Sequence, residues 1–230
     1  MSLLRRCGTW IDARLGLRSA WQHTLGHFVP PDAKWWYVFG SASLMFFLIQ
    51  IVTGICLAMV YVPSAAEAYQ SLLYLNYQQP LGWMLRAIHN WSANFMVLMV
   101  LAHMTQVFLM GAFKYPRQLT WVFGVFLLIG TLALAFTGQV LRWDQDAYWG
   151  LGIGAAISGR TPVIGPHVVH LLLGGPIIAG ETLTRFFTLH VFVLPGAMLL
   201  MIGLHLRAVF TGGISEMPKA GQPVDRETAI

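Results

Sequence analysis

Stretches without a charged residue divide the chain. Asp, Glu, Lys and Arg are missing from 35–66, 87–113, 118–141 and 186–206, and each stretch is long enough for the ~20 residues a helix needs to cross a hydrocarbon layer. The pattern predicts four membrane spans, A to D, over 36–61, 87–113, 119–141 and 186–210. A fifth charge-free stretch, 161–180, contains Pro162, Pro166, Pro176 and several glycines. Such breakers argue against a lipid-exposed helix and predict short surface-lying helices between C and D. Residues 1–34 carry Trp10, Leu15, Leu17, Trp21 and Leu25 among basic and polar positions, the pattern of an interfacial amphipathic segment. The expected organisation is therefore that segment, a four-helix transmembrane domain over 35–212, and a polar tail over 213–230. The fold class is all-α and integral to the membrane.

Composition agrees, since 57% hydrophobic and 10% charged residues are too apolar for an ordinary soluble fold of this length. The net charge of +5 is spread over single Lys and Arg residues, not gathered in a stripe, which argues against nucleic acid as a partner. Four spans put both termini and the B–C connection on one side, with Arg5, Arg6, Arg14, Arg18, Lys34, Lys114, Arg117, Arg207, Lys219 and Arg226. Only Arg86, Arg142, Arg160 and Arg185 fall on the other. By the positive-inside rule the termini face the cytoplasm, or the equivalent negative compartment, of a bacterial inner membrane or thylakoid-like membrane. No long apolar leader with a cleavage site precedes span A, so a cleaved signal peptide is not expected. Cys7 and Cys56 are the two cysteines, without C-x-x-C-H, so neither a disulfide framework nor a conventional covalent haem attachment is expected.

Within the charge-free stretches the imidazoles are His89 and His103 on B, and His190 and His205 on D. A spacing of fourteen turns a helix to about 40° short of four full turns, and fifteen overshoots by about 60°. Each helix thus offers two histidines on broadly one face, about 21–22 Å apart along the axis. B and D run in the same direction, so His89 should meet His190 and His103 should meet His205. Two facing imidazoles can supply both axial bonds to a haem iron and leave no position open for oxygen, which suits electron transfer. The blander alternative is that polar residues hydrogen-bond between helices. Gly40 and Gly54 on A, and Gly124 and Gly138 on C, repeat the fourteen-residue spacing. They would clear space for a flat macrocycle or simply let helices pack closely. Outside the spans, His23 and His27 lack further metal ligands nearby in sequence, and His167 and His170 suit either proton acceptance or the headgroup region.

Several stretches resemble the amino-terminal haem domain of cytochrome b, especially its short split form, cytochrome b6, over roughly residues 10–215. They are Arg86-Ala-Ile-His89 with Ala93-Asn94, Phe113-Lys114-Tyr115-Pro116-Arg117 with Leu119-Thr120-Trp121, Trp143-Asp144-Gln145 with Tyr148-Trp149, and Thr182-Leu183-Thr184-Arg185-Phe186 before His190. The resemblance implies two b-type haems, each held by two histidines. His89 and His190 would hold the positive-side haem and His103 and His205 the negative-side one, with Arg86, Arg117 and Arg185 placed for propionates. Guanidinium suits a carboxylate at a membrane boundary because its planar fork donates two parallel hydrogen bonds. The segment 138–165 would supply part of a quinol pocket, with Gly138, Trp143, Asp144, Gln145, Tyr148 and Gly150 as candidates.

Three positions depart from the family. Val38 stands where the split form carries a haem-tethering cysteine, so a third, covalent haem is not expected. Gln106 replaces a frequent arginine, and Arg142-Trp143 replaces the usual Pro-Trp after span C, which would alter the quinol pocket or a partner contact. The family's carboxylate-bearing pocket motif belongs to a later domain. The function implied is the cytochrome b subunit of a quinol-oxidising bc or bf complex, inactive alone. Its partners would be a separate membrane subunit completing the pocket, a Rieske-type iron–sulfur protein, and a c-type cytochrome or plastocyanin-like acceptor, in a dimeric assembly. Two alternatives remain open: a dihaem membrane anchor for a dehydrogenase or hydrogenase, which the Trp143-Asp144-Gln145 and Tyr148-Trp149 pattern opposes, and a transporter or assembly protein that binds no haem.

Overall fold

The computed structural model describes residues 33–215 together with Thr9, Trp10, Asp12 and Ala13. Most of the amphipathic segment and of the polar tail, with Cys7, His23 and His27, lies outside the described residues. Among the described residues from 33 onward, eight α-helices follow in order: α1 (Phe39–Ala58), α2 (Ala68–Tyr77), α3 (Gly82–Leu109), α4 (Gln118–Val140), α5 (Gln145–Gly159), α6 (Gly165–Leu173), α7 (Gly180–Thr188) and α8 (Leu194–Gly212). A 3-10 turn, Trp35–Val38, leads into α1. A π-helical turn, Leu189–Val193, joins α7 to α8 without a break.

Among the described residues, four segments are long and apolar enough to cross a membrane: Trp35–Ala58, Gly82–Leu109, Gln118–Val140 and Gly180–Gly212. These are spans A to D. Spans B and D begin earlier than the charge pattern predicts, at Gly82 and Gly180 against 87 and 186. The reason is that absence of charge marks the hydrocarbon edge, whereas a helix continues through the interface while Arg86 or Arg185 extends its stem toward the polar layer. Large side chains on the outer faces, such as Val52, Leu98, Ile129 and Leu200, are exposed. That is the arrangement expected where the surrounding solvent is lipid.

The segment between C and D forms two short helices. Asp144 caps α5 by accepting the Ala147 N–H at 2.9 Å. The α6 helix ends at Gly174, whose φ of +81° suits glycine and whose N–H returns to the His170 carbonyl at 2.9 Å. Val140, Leu151, Ala155, Leu173 and Phe186 form one core that pins this pair onto the ends of C and D.

In the bundle, α1 packs chiefly on α3 and α4 chiefly on α8, while the two histidine-bearing helices, α3 and α8, do not pack extensively against each other. A cleft is left between the two pairs. At its middle it is closed by Phe47, Met96, Leu134 and Met198, one from each span, all nearly inaccessible. Met96 lies seven residues from each of His89 and His103, and Phe47 seven from each of Gly40 and Gly54. The closure therefore sits halfway between the two histidine levels.

The fifteen-residue interval of span D also finds its explanation here. A π-helical turn takes one more residue than an α-turn. Placed at Leu189–Val193, it absorbs the additional residue between His190 and His205 and removes the overshoot an ideal helix would give. Pro195 helps to fix it there, because its missing N–H cannot bond the Val191 carbonyl in the α pattern.

Candidate functional site

Each of the four spans contributes to both ends of the cleft. His89 and His190 face each other with ring centroids 6.4 Å apart and planes at 75°. Thr53, on span A, donates its hydroxyl proton to the Ile49 carbonyl at 2.6 Å and stands 2.8 Å from His89 Nδ1. Thr137, on span C, repeats this with the Ala133 carbonyl at 2.8 Å and His190 Nδ1 at 3.0 Å. With its proton engaged, each hydroxyl oxygen can only accept from the ring. Both Nδ1 atoms therefore carry hydrogen, and both Nε2 atoms keep their lone pairs. At the other end His205 Nδ1 meets the Thr120 carbonyl at 3.1 Å, which again makes Nδ1 the protonated nitrogen. His103 lies within electrostatic reach of His205 and of the Gln106 side chain, and its Nδ1 is buried without a hydrogen-bond partner among the described residues. Gln106, one turn further on, directs its amide to Met110 Sδ at 3.1 Å.

The four glycines singled out by spacing each face one of these rings. A Cβ on Gly138 would come within 2.7 Å of His190 Cε1, and one on Gly40 within 3.2 Å of His103 Cε1. For Gly54 and His89 the figure is 3.4 Å, and for Gly124 and His205 it is 3.6 Å. The glycines thus let helices A and C approach the imidazoles themselves.

Around His89 and His190 lies a cavity of about 1530 Å³, lined also by Gly54, Arg86, Gly138, Arg142 and Asp144. It exceeds the ~300–1000 Å³ of ordinary small-molecule sites. Arg86 lines this cavity, whereas Arg185 turns to the surface helices, where its Nη1 donates to the Leu171 carbonyl at 2.7 Å. Arg117, at the opposite end, is buried and donates from Nε to the Gly213 carbonyl at 2.9 Å.

Among the quinol-pocket candidates, Gly138 and Asp144 line the cavity and Trp143, Gln145, Tyr148 and Gly150 do not. Gln145 accepts from the Trp149 indole at 3.2 Å, and Tyr148 meets Trp149 edge-on with centroids 5.4 Å apart. Arg142 Nε donates to Asp144 Oδ2 at 2.9 Å, and Arg142 Nη2 reaches the same oxygen and Asp146 Oδ2. Partial burial works to raise the Asp144 carboxyl, but the Ala147 N–H and the Arg142 guanidinium outweigh it and hold the group below its ordinary 3.8. These bonds correspondingly push the Arg142 guanidinium above its ordinary value against desolvation. Tyr61, whose hydroxyl donates to the Leu141 carbonyl at 2.8 Å, has its phenol pKa pushed up by burial.

Sequence reasoning missed Thr53, Thr137 and the mid-cleft layer. The signals were present as Thr-Gly pairs at 53–54 and 137–138, and as large apolar residues seven positions from each glycine and histidine on A and B.

The arrangement fits a flat metal macrocycle. Two imidazoles bound to one ion at metal–nitrogen distances of about 2.0 Å put their centroids roughly 6.3 Å apart, and the observed separation is 6.4 Å. Among the described residues no group of three or more His, Cys, Asp or Glu gathers as a metal site. A macrocycle would supply the remaining bonds to such an ion from its own ring nitrogens.

The spans and their inward imidazoles define a membrane-embedded helical bundle built around histidines at two depths. The profile of the family described as Cytochrome b/b6/petB matches residues 24–213, and the chain belongs to that family. It is 41% identical over 206 residues to "Cytochrome b6" of Synechococcus sp. (strain JA-3-3Ab), covering 90% of this chain and 96% of that one. To "Cytochrome b6" of Prochlorococcus marinus (strain AS9601) it is 40% identical, covering 90% and 94%. Among solved structures, a chain of "Hyperthermophilic respiratory Complex III" superposes with a TM-score of 0.84 at 31% identity. The match covers 94% of this chain and 59% of that one, so this chain spans little more than half of its length. The function is accordingly that of a cytochrome b subunit in a multi-subunit bc or b6f-type electron-transfer complex, integral to the membrane. Membership implies haem binding.

Proposed function

We propose that the chain holds two b-type haems, one between His89 and His190 and one between His103 and His205, and connects quinol oxidation at one face with quinone reduction at the other. The single observation that carries the reading is the set of ring tautomers. In three of the four histidines Nδ1 is engaged by an acceptor, which leaves Nε2 free to coordinate. When bound, each haem would supply a one-electron relay.

The residues divide the remaining work. Arg86, at the mouth of the cavity, meets a propionate of the positive-side haem, and Arg117 and Arg185 are the candidates for the other propionates. Gly40, Gly54, Gly124 and Gly138 keep spans A and C close to the rings. Quinol enters beside the 138–150 segment and releases two protons and two electrons. One electron leaves to a Rieske-type iron–sulfur protein, and thence a c-type cytochrome or similar acceptor, while the other crosses this chain to a quinone on the negative side, where both termini lie. A separate membrane subunit completes the pocket, in a dimeric complex. Both oxygens of Asp144 are engaged, so the proton acceptor comes from that partner.

Substitution of His89 by Leu tests the pairing. The reduced-minus-oxidised spectrum of the variant complex should lose the positive-side component, with haem per chain falling by about half. An unchanged spectrum would contradict the assignment.

A further inference from the structure

We propose that Arg142 and Asp144 form an ionic clamp across Trp143 that fixes one wall of the cavity mouth and thereby sets how tightly quinol is held there. The inference rests on quinol docking at the Arg142–Asp144 edge of the cavity whose His89–His190 part holds the haem. Trp143 has φ +50°, in the left-handed region that a bulky side chain rarely adopts, so the turn between α4 and α5 must be held from outside that residue. Several bonds do so. The N–H groups of Leu141, Arg142 and Trp143 return to the carbonyls of Gly138, Gln139 and Val140 at 3.1–3.2 Å, closing the end of α4. The Tyr61 hydroxyl bonds the Leu141 carbonyl at 2.8 Å and ties the end of span A to the same turn.

The side-chain bridge adds the link that the backbone cannot make. Arg142 precedes Trp143 and Asp144 follows it. The guanidinium takes Asp144 Oδ2 through Nε and Nη2, while Oδ1 accepts the Ala147 N–H and starts α5. One carboxylate thus joins the end of α4 to the beginning of α5, and the residue between them has no freedom to relax. Asp146, an exposed second acceptor at 3.3 Å, keeps the guanidinium from swinging away.

Both members of the bridge line the cavity together with Arg86, His89 and His190, so a change in the turn alters the cavity wall. Proline stiffens a turn by fixing its own φ. Here a charge pair does so across its neighbour, and the wall gains a guanidinium that a proline would not bring. Arg142 and Asp144 are positioning residues.

The test is steady-state oxidation of duroquinol by the whole complex carrying Arg142→Gln, Asp144→Asn, or both. Asparagine keeps an oxygen to cap α5 and removes the charge, so the helix survives. Each single substitution should raise KM roughly two- to fivefold, the upper part of what a partly exposed ion pair contributes, with kcat, haem content and both midpoint potentials unchanged. The double variant should be no worse than the poorer single one, because both remove the same bond. An unchanged KM, a fall in kcat at constant KM, or independent multiplication of the two effects would overturn the clamp. A wild-type complex that carries both haems and does not oxidise duroquinol would instead remove the quinol-site reading on which the clamp depends.

Discussion

At the scale of single residues, the four glycines are not equivalent. A methyl group on Gly138 would stand 2.7 Å from His190 Cε1, and one on Gly124 would stand 3.6 Å from His205 Cε1. Carbon atoms attract best at about 3.5–4.0 Å and repel steeply inside that distance. The Gly138→Ala complex is therefore expected to lose one haem per chain, measured by pyridine haemochrome, while Gly124→Ala retains both. Equal tolerance at the two positions would show that His190 can retreat from span C. The glycines and histidines were legible in the sequence because both recur at intervals that return a helix to nearly the same face. Thr53 and Thr137 were not, since a threonine within a span is ordinarily read as bonding its own helix. Here each hydroxyl does that and holds a ring on another helix as well.

Helical elements obey the same logic of phase. The π-helical turn at Leu189–Val193 consumes one residue beyond the α pattern, and the following helix keeps the phase of a fourteen-residue interval. Deleting Val191 should let that turn become α-helical and leave His205 in phase with His190, as in a fourteen-residue interval. The expected result is a complex with both haems, whereas inserting an alanine after Ala197, an addition the turn cannot also absorb, rotates His205 by about 100° and leaves roughly half the haem. Optical spectra of the two variants decide the matter, and haem loss on the deletion would deny the turn any role in register. The charge-free stretches made all four spans legible. They misplaced the starts of B and D because an arginine one turn inside a helix reads as its boundary. The π-turn was beyond sequence reasoning, which had only the spacing of fifteen and no sign of where the additional residue would be spent.

At the scale of the whole molecule, Asp144 is the one carboxylate among the described residues that lines the cavity, and it is bound on both oxygens. Purified with both haems but without other subunits, the chain should not sustain inhibitor-sensitive quinol oxidation when supplied with an oxidised iron–sulfur protein. Continued turnover would show that this chain furnishes its own base. The mid-cleft layer has a different consequence. Phe47, Met96, Leu134 and Met198 meet at the centre of the bundle with exposures between 3% and 8%, and Gly130 leaves just enough room for Met198 to close against span C. Such a layer offers no hydrogen-bonding group to a water file. A membrane potential of 100 mV is worth about 2.3 kcal/mol for each charge that crosses it, and a wetted cleft would dissipate that difference by leaking protons. With a haem at each end, as proposed, the septum would be an insulator in the electrical sense: it would permit electron tunnelling between the two ends of the bundle while denying passage to the ions that would short-circuit the membrane.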